Sequence, residues 1–111
     1  MLNKMKDLKI AKSFKRELKN KLGDNLISVY FYGSRAKGTA KKESDLDLFL
    51  LMKNRPKLNS QTDKLLAKTI SRYLDQENVY ISAIPYGIDD YNKWKNYSPI
   101  LYWINKEGIK I

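Results

Sequence analysis

The chain has 111 residues, of which 42% are hydrophobic and 31% charged, and its 22 basic and 12 acidic side chains give a formal net charge of +10. These values indicate a single folded domain, residues 1–111, with one hydrophobic core, and they disfavour a disordered chain. The chain has no cysteine and no histidine, which excludes disulfides, Cys/His zinc sites and Ser-His or Cys-His nucleophilic chemistry. Any metal must therefore be bound by oxygen ligands, as Mg²⁺, Mn²⁺ and Ca²⁺ are.

The positive charge favours an anionic partner, such as nucleotide phosphate, nucleic acid or an acidic protein. The lysines are scattered along the chain, however, so they are equally consistent with simple solubilisation. Residues 1–10 lack the apolar stretch of a secretory signal, and the central apolar run LFLLM is far too short to cross a bilayer. We therefore expect a cytoplasmic protein with no membrane association.

Hydrophobic periodicity, turn residues and helix caps predict eight elements in chain order. They are a helix over about 4–22, strands over 26–33 and 46–52, a helix over about 61–76, a strand over 78–87, a short helix capped by Asp89 and ending at Trp94, a helix capped by Ser98 and ended by Gly108, and an edge strand over 109–111. The second strand is apolar enough to be central in a sheet. The sequence therefore predicts an α/β (α+β) fold in which helices flank a small mixed sheet.

Gly33 and Ser34 end the first strand and lead into a short helical segment. A turn of this kind presents backbone N–H groups that can bind phosphate, and glycine allows the backbone to approach the ligand closely. The simpler interpretation is an ordinary strand-to-helix turn.

Asp45 and Asp47 stand two residues apart at the start of the second strand, so both side chains project from the same face of the sheet. Aspartate is uncommon in strands, and two unpaired carboxylates at this spacing repel each other. A shared divalent cation explains the choice of residues. The alternative is an exposed strand start whose charge is balanced by neighbouring lysines.

In a hairpin-like arrangement the turn and the acid pair meet at the same edge of the sheet. That geometry suits a Mg²⁺–nucleoside triphosphate, in which the turn contacts the phosphates and the metal bridges phosphate and carboxylate.

The segment GSRAKGTAKKESDLDL, residues 33–48, resembles the GSx₁₀DxD signature of minimal nucleotidyltransferases, which belong to the DNA polymerase β nucleotidyltransferase superfamily. The resemblance implies the nucleotidyltransferase fold and transfer of a nucleoside monophosphate from ATP or another NTP, with Mg²⁺ as cofactor. By position it implies nucleotide binding by Gly33, Ser34, Arg35 and Lys37, and catalysis and metal binding by Asp45 and Asp47. Small members are often antitoxins that add AMP to a tyrosine of a HEPN-type toxin, so such a toxin is the expected partner.

The chain departs from the family at one position. Many members carry a third carboxylate on the next strand, where this chain has Ser82 and its neighbours, with no acid among them. Three acids flank that strand, namely Glu77, Asp89 and Asp90. Each would need a displaced geometry to take the place of the third carboxylate. The general base is therefore unassigned, and a partner protein is one possible source.

Three functions stay open from the sequence. The first is a protein-adenylylating antitoxin, and the second is an inert nucleotidyltransferase-fold module that neutralises its partner by contact. The third, a nucleic-acid binder, rests on charge alone and is disfavoured. An aromatic cluster, Tyr91, Trp94, Tyr97, Tyr102 and Trp103, either packs on the sheet, which is the favoured interpretation, or forms a face for a partner or for self-association into a homo-oligomer.

Overall fold

The computed structural model describes residues 4–39 and 44–111. The helices in these ranges are α1 Lys4–Leu22, α2 Gly33–Lys37, α3 Gln61–Glu77, α4 Ile88–Trp94 and α5 Pro99–Glu107, with a short 3₁₀ helix at Gly23–Asn25. The strands are β1 Leu26–Tyr32, β2 Leu46–Met52, β3 Ile81–Gly87 and β4 Ile109–Lys110. The eight predicted elements occur in the predicted order, the short helical segment expected after Gly33 is α2, and the 3₁₀ helix was not predicted.

The four strands form one mixed sheet in the order β3-β2-β1-β4. Strand β2 pairs antiparallel with β1 and parallel with β3, and the two-residue β4 pairs antiparallel with β1 at one edge. The predicted central position of β2 and edge position of β4 are confirmed. Both faces of β2 are covered, which explains its nearly continuous apolar sequence.

Alternating side chains of β2 point into two separate apolar clusters. Leu46, Leu48 and Leu50 pack with α1 and α3 on one face of the sheet. Phe49 and Leu51 pack on the other face, with residues of α4 and α5. By the same alternation Asp47 lies on the α4/α5 face, at the end of the sheet where β2 begins.

Local sequence explains most of the boundaries. The Ser60 and Ser98 side chains accept hydrogen bonds from backbone N–H groups three residues on, so they cap α3 and α5 as expected from serine at these positions. The prediction that Asp89 caps α4 is wrong, because α4 already begins at Ile88 and the residue before it, Gly87, makes no side-chain cap. Strand β3 begins at Ile81, three residues later than predicted.

The aromatic cluster divides between the two interpretations. Tyr91 packs against Phe49 in the apolar cluster on the α4/α5 face. The four other members are exposed over nearly half or more of their surface: Trp94 45%, Tyr97 77%, Tyr102 51% and Trp103 50%. The favoured interpretation, packing on the sheet, is therefore right for Tyr91 and wrong for the rest. Within residues 4–39 and 44–111, no helix is both long and apolar enough to cross a membrane.

Candidate functional site

The turn between β1 and α2 lies directly against Asp47. Gly33 has φ 79°, a conformation that favours glycine. A Cβ at this position would overlap Oδ2 of Asp47 and lie 3.1 Å from its Cγ. Both the backbone conformation and the close approach therefore require glycine, and the turn and the acid come together as the sequence predicts.

The two aspartates differ in their surroundings. Asp45 is exposed and precedes β2, whereas Asp47 is half-buried and lies between Tyr32 of β1 and Ser82 of β3 in the register of the sheet. Burial raises the pKa of Asp47, the negative charge of Asp45 raises it further, and the Arg35 guanidinium opposes the rise. Two neighbouring carboxylates whose charges are not fully compensated form an environment that favours a cation.

Arg35 lies inside the protein, where its contacts are with other protein groups. Its side chain is 5% exposed; Nη1 donates to Oδ1 of Asp7 at 2.8 Å, and Nε donates to the carbonyl oxygen of Ser44 at 2.7 Å. The resemblance assigns Arg35 to nucleotide binding, but these two hydrogen bonds join α1 to the residue preceding Asp45. Its most direct effect is thus to position the acid-bearing segment.

Asp7 was not identified from the sequence. It stands 28 residues from Arg35 in a lysine-rich helix. Asp7 differs from an ordinary surface acid in being only 4% exposed, and no local sequence pattern predicts that burial.

Lys37 lies on the side of the turn away from Arg35 and is exposed. Its Nζ is 2.9 Å from Oε2 of Glu107 and 5.9 Å from the centre of the Trp103 ring, so it links α2 to α5. Ser34 is half-buried, and its carbonyl oxygen accepts a hydrogen bond from the Thr39 N–H at 3.0 Å.

Tyr32 also belongs to this region. Burial, together with the negative charge of Asp47, raises the pKa of Tyr32 to about 12. Its phenol therefore stays protonated at neutral pH and can donate a hydrogen bond near Asp47.

The position beside Asp47 on β3 is Ser82, as the sequence analysis expects. Asp89 and Asp90 follow the far end of β3, where Gly87 pairs with Met52, about 16 Å along the strand from Asp47 by ordinary strand geometry. Glu77 ends α3, which packs on the opposite face of the sheet. Among residues 4–39 and 44–111, no three acidic side chains gather at one place.

This combination of fold and site is that of a nucleotidyltransferase. The family model for the nucleotidyltransferase domain matches residues 10–104, so the chain belongs to this family. A Methanocaldococcus jannaschii protein named as a protein adenylyltransferase, MJ1305, is 37% identical over 84 residues, which are 76% of this chain and 54% of that protein. The chain thus spans about half the length of this relative.

Solved structures share the fold. A nucleotidyltransferase from Sulfolobus solfataricus superimposes with a TM-score of 0.58 at 22% identity, over 96% of this chain and 80% of that one. A toxin-antitoxin structure with AMP-PNP gives a TM-score of 0.59 at 14% identity, over 88% of this chain and 69% of that one. The expected nucleotidyltransferase fold is therefore confirmed.

Proposed function

We propose that this protein is an antitoxin that transfers AMP from ATP to a tyrosine hydroxyl of a HEPN-type toxin, in a Mg²⁺-dependent reaction. Its membership of the nucleotidyltransferase family and its relative named as a protein adenylyltransferase support the reaction. The fold shared with a toxin-antitoxin structure supports the biological setting. The observation that carries the proposal is the approach of Gly33 to Asp47, because the proposed phosphate-binding turn and the proposed metal ligand are then neighbours.

Asp45 and Asp47 are the proposed ligands of Mg²⁺. Magnesium in nucleotide sites is usually held by one or two carboxylates together with substrate phosphates, so two aspartates suffice for one ion. The raised pKa of Asp47 fits this role, because a cation beside it would relieve the repulsion from Asp45. The ion would neutralise charge on the phosphates and promote departure of pyrophosphate.

Gly33 and Ser34 are the proposed contacts of the triphosphate, through the backbone N–H groups of the turn and the Ser34 hydroxyl. Lys37 is exposed one turn further along α2 and supplies positive charge near the phosphates. Ser82, at the position of the missing third acid, has no basic group with which to deprotonate an acceptor at neutral pH. The toxin is the proposed source of that base.

The test is transfer of label from α-labelled ATP to the toxin encoded by a neighbouring gene. We expect Mg²⁺-dependent labelling of the toxin that is abolished by Asp47→Asn. Asp89→Asn is a matched control, because Asp89 is an exposed acid at the opposite end of the sheet, and it should leave labelling unchanged. Loss of labelling in both variants, or persistence in both, contradicts the assignment of Asp47.

A second function is favoured by the exposed aromatic side chains of the C-terminal region. Tyr97 and Tyr102 are 77% and 51% exposed, and such residues commonly anchor protein interfaces. On this alternative the protein neutralises its toxin by contact alone. Asp47→Asn distinguishes the two functions, because it would retain toxin neutralisation by contact and would lose neutralisation by AMP transfer. Tyr97→Ala combined with Tyr102→Ala would lose neutralisation under the contact mechanism.

A further inference from the structure

A pocket of 250 Å³ opens beside the Gly33 turn, between α2 and α5. It is lined by Tyr32, Gly33, Ala36, Lys37, Trp103 and Glu107. We propose that this pocket binds the base of the nucleoside triphosphate, with the ring stacked on Trp103. The proposal rests on the proposed function and adds to it the part of the site that recognises the nucleoside.

The pocket adjoins the candidate metal site at two residues, Gly33 and Tyr32. Gly33 lines the pocket and also lies against the carboxylate of Asp47. Tyr32 likewise lines the pocket, and its pKa responds to the charge of Asp47. A ligand whose phosphates lie at the Gly33 turn therefore has its other end within reach of the pocket.

The size and walls of the pocket suit a flat ring. Pockets for drug-sized ligands usually hold about 300–1,000 Å³, so 250 Å³ accommodates a base and leaves the sugar and phosphates outside. Trp103 is 50% exposed, which leaves part of its ring available for stacking. Stacking on aromatic side chains is a general means by which proteins hold nucleic-acid bases.

The charged groups at the pocket favour a base over the phenol ring of an acceptor tyrosine. Lys37 donates and Glu107 accepts hydrogen bonds, and the two are paired with each other at 2.9 Å. The edge of a base carries both acceptors and donors, and a carboxylate such as Glu107 matches an exocyclic amino group. A phenol offers a single hydroxyl, so Lys37 and Glu107 would have to share one oxygen atom, whereas the edge of a base offers separate donor and acceptor atoms.

The first experiment compares ligands with and without a base by calorimetry in the presence of Mg²⁺. We expect Trp103→Ala to weaken ATP binding by about ten- to a hundredfold, which is the usual effect of removing an aromatic side chain on which a base stacks. Binding of inorganic tripolyphosphate should be unchanged. Trp103→Phe should retain most of the affinity. Trp94→Ala is the matched control, because Trp94 is 45% exposed and also lies under a lysine, yet it does not line the pocket.

The second experiment uses the fact that the chain has two tryptophans. In Trp94→Phe, tryptophan fluorescence reports on Trp103 alone, and in Trp103→Phe it reports on Trp94 alone. We expect adenosine and Mg²⁺–ATP to quench the first variant and to leave the second unchanged.

The outcomes separate this proposal from the proposed function. Equal weakening of ATP and tripolyphosphate by Trp103→Ala, or no weakening of either, overturns the base pocket. If a tyrosine amide quenches Trp103 and adenosine does not, the pocket belongs to the acceptor ring and the proposal is again overturned. If neither ATP nor tripolyphosphate binds with Mg²⁺, the proposed function fails. The pocket is then tested with adenosine alone: quenching of Trp103 fluorescence supports the pocket, and unchanged fluorescence overturns it.

Discussion

The contact between Gly33 and Asp47 makes a quantitative prediction for Gly33→Ala. Any L-residue at φ 79° loses about 1–2 kcal/mol relative to a relaxed conformation. At Gly33 the new methyl group would also overlap the Asp47 carboxylate, which must move. Overpacking of this kind adds about 1–3 kcal/mol. The free energy of unfolding should therefore fall by about 2–5 kcal/mol in all.

Two other glycines provide controls that isolate the overlap. Gly23 and Gly38 have φ 57° and 76°, and a Cβ at either position would meet no atom within 4 Å. Gly23→Ala and Gly38→Ala should thus lower stability only by the backbone term of about 1–2 kcal/mol. Urea unfolding followed by circular dichroism measures all three variants on one scale.

A double-mutant cycle identifies the group responsible. Asp47→Ala removes the carboxylate and leaves only its Cβ, which lies 3.3 Å from the ideal Cβ at Gly33. In that background, Gly33→Ala should destabilise the protein by no more than Gly23→Ala does. If Gly33→Ala matches Gly23→Ala already in the wild-type background, or if its excess persists without the Asp47 carboxylate, the inferred contact is refuted.

Three further predictions follow from the same geometry. Asp7→Ala should lower the free energy of unfolding by about 3–5 kcal/mol, since it leaves the Arg35 guanidinium buried without its carboxylate partner; urea unfolding measures this. Asp47→Asn should be more stable than wild type by about 0.5 kcal/mol at neutral pH without Mg²⁺, a discounted value because Asp47 is partly exposed. Ser82→Asp places a third acid beside Asp47, so it should lower stability without Mg²⁺, raise Mg²⁺ affinity by calorimetry and increase label transfer to the toxin.

The sign of the Asp47 prediction follows from proton linkage. The pKa of Asp47 is raised in the folded state, so the folded protein holds this proton more tightly than the unfolded chain does. Stability from this group is therefore present at acidic pH and is lost as pH rises through the unfolded and then the folded pKa. The stability advantage of Asp47→Asn should shrink on acidification, and an advantage that grows instead would contradict the inferred cause.

The other two predictions have their own contradicting outcomes. An Asp7→Ala protein as stable as wild type, or a Ser82→Asp protein with unchanged Mg²⁺ affinity, would contradict the geometry on which each prediction rests.

Much of the fold could be predicted because most of its strands and helices carry a strong local signal. The run of β2 is apolar on both faces, which is typical of a central strand, and Ser98 followed by Pro99 is a typical helix start. The wrong prediction at Asp89 arose where the signal was weak. Aspartate is favoured both at the cap and in the first turn of a helix, and the structure places Asp89 in the first turn.

The parts of the site that could not be predicted depend on contacts between distant elements. The Arg35–Asp7 pair joins α2 to α1, and the pocket beside Gly33 forms only when Trp103 and Glu107 of α5 reach α2. Periodicity identifies the buried side of a helix, but it does not fix which residue of that side meets which neighbour. The approach of the Gly33 turn to Asp47 could be predicted from the sequence, because β1 and β2 follow one another in the chain and also pair in the sheet.

The arrangement of charges explains why a stable fold would keep two aspartates at the start of a central strand. Arg35 lies near enough to oppose the rise in the pKa of Asp47, but its hydrogen bonds go to Asp7 and to the carbonyl group of Ser44. The carboxylate of Asp47 also lies close to the backbone of Gly33. The half-buried Asp47 therefore lies beside the like charge of Asp45, an arrangement that costs stability and that a cation bound as proposed would relieve. If the proposed function is right, the free protein thus gives up some stability in exchange for affinity towards a metal-bound nucleotide.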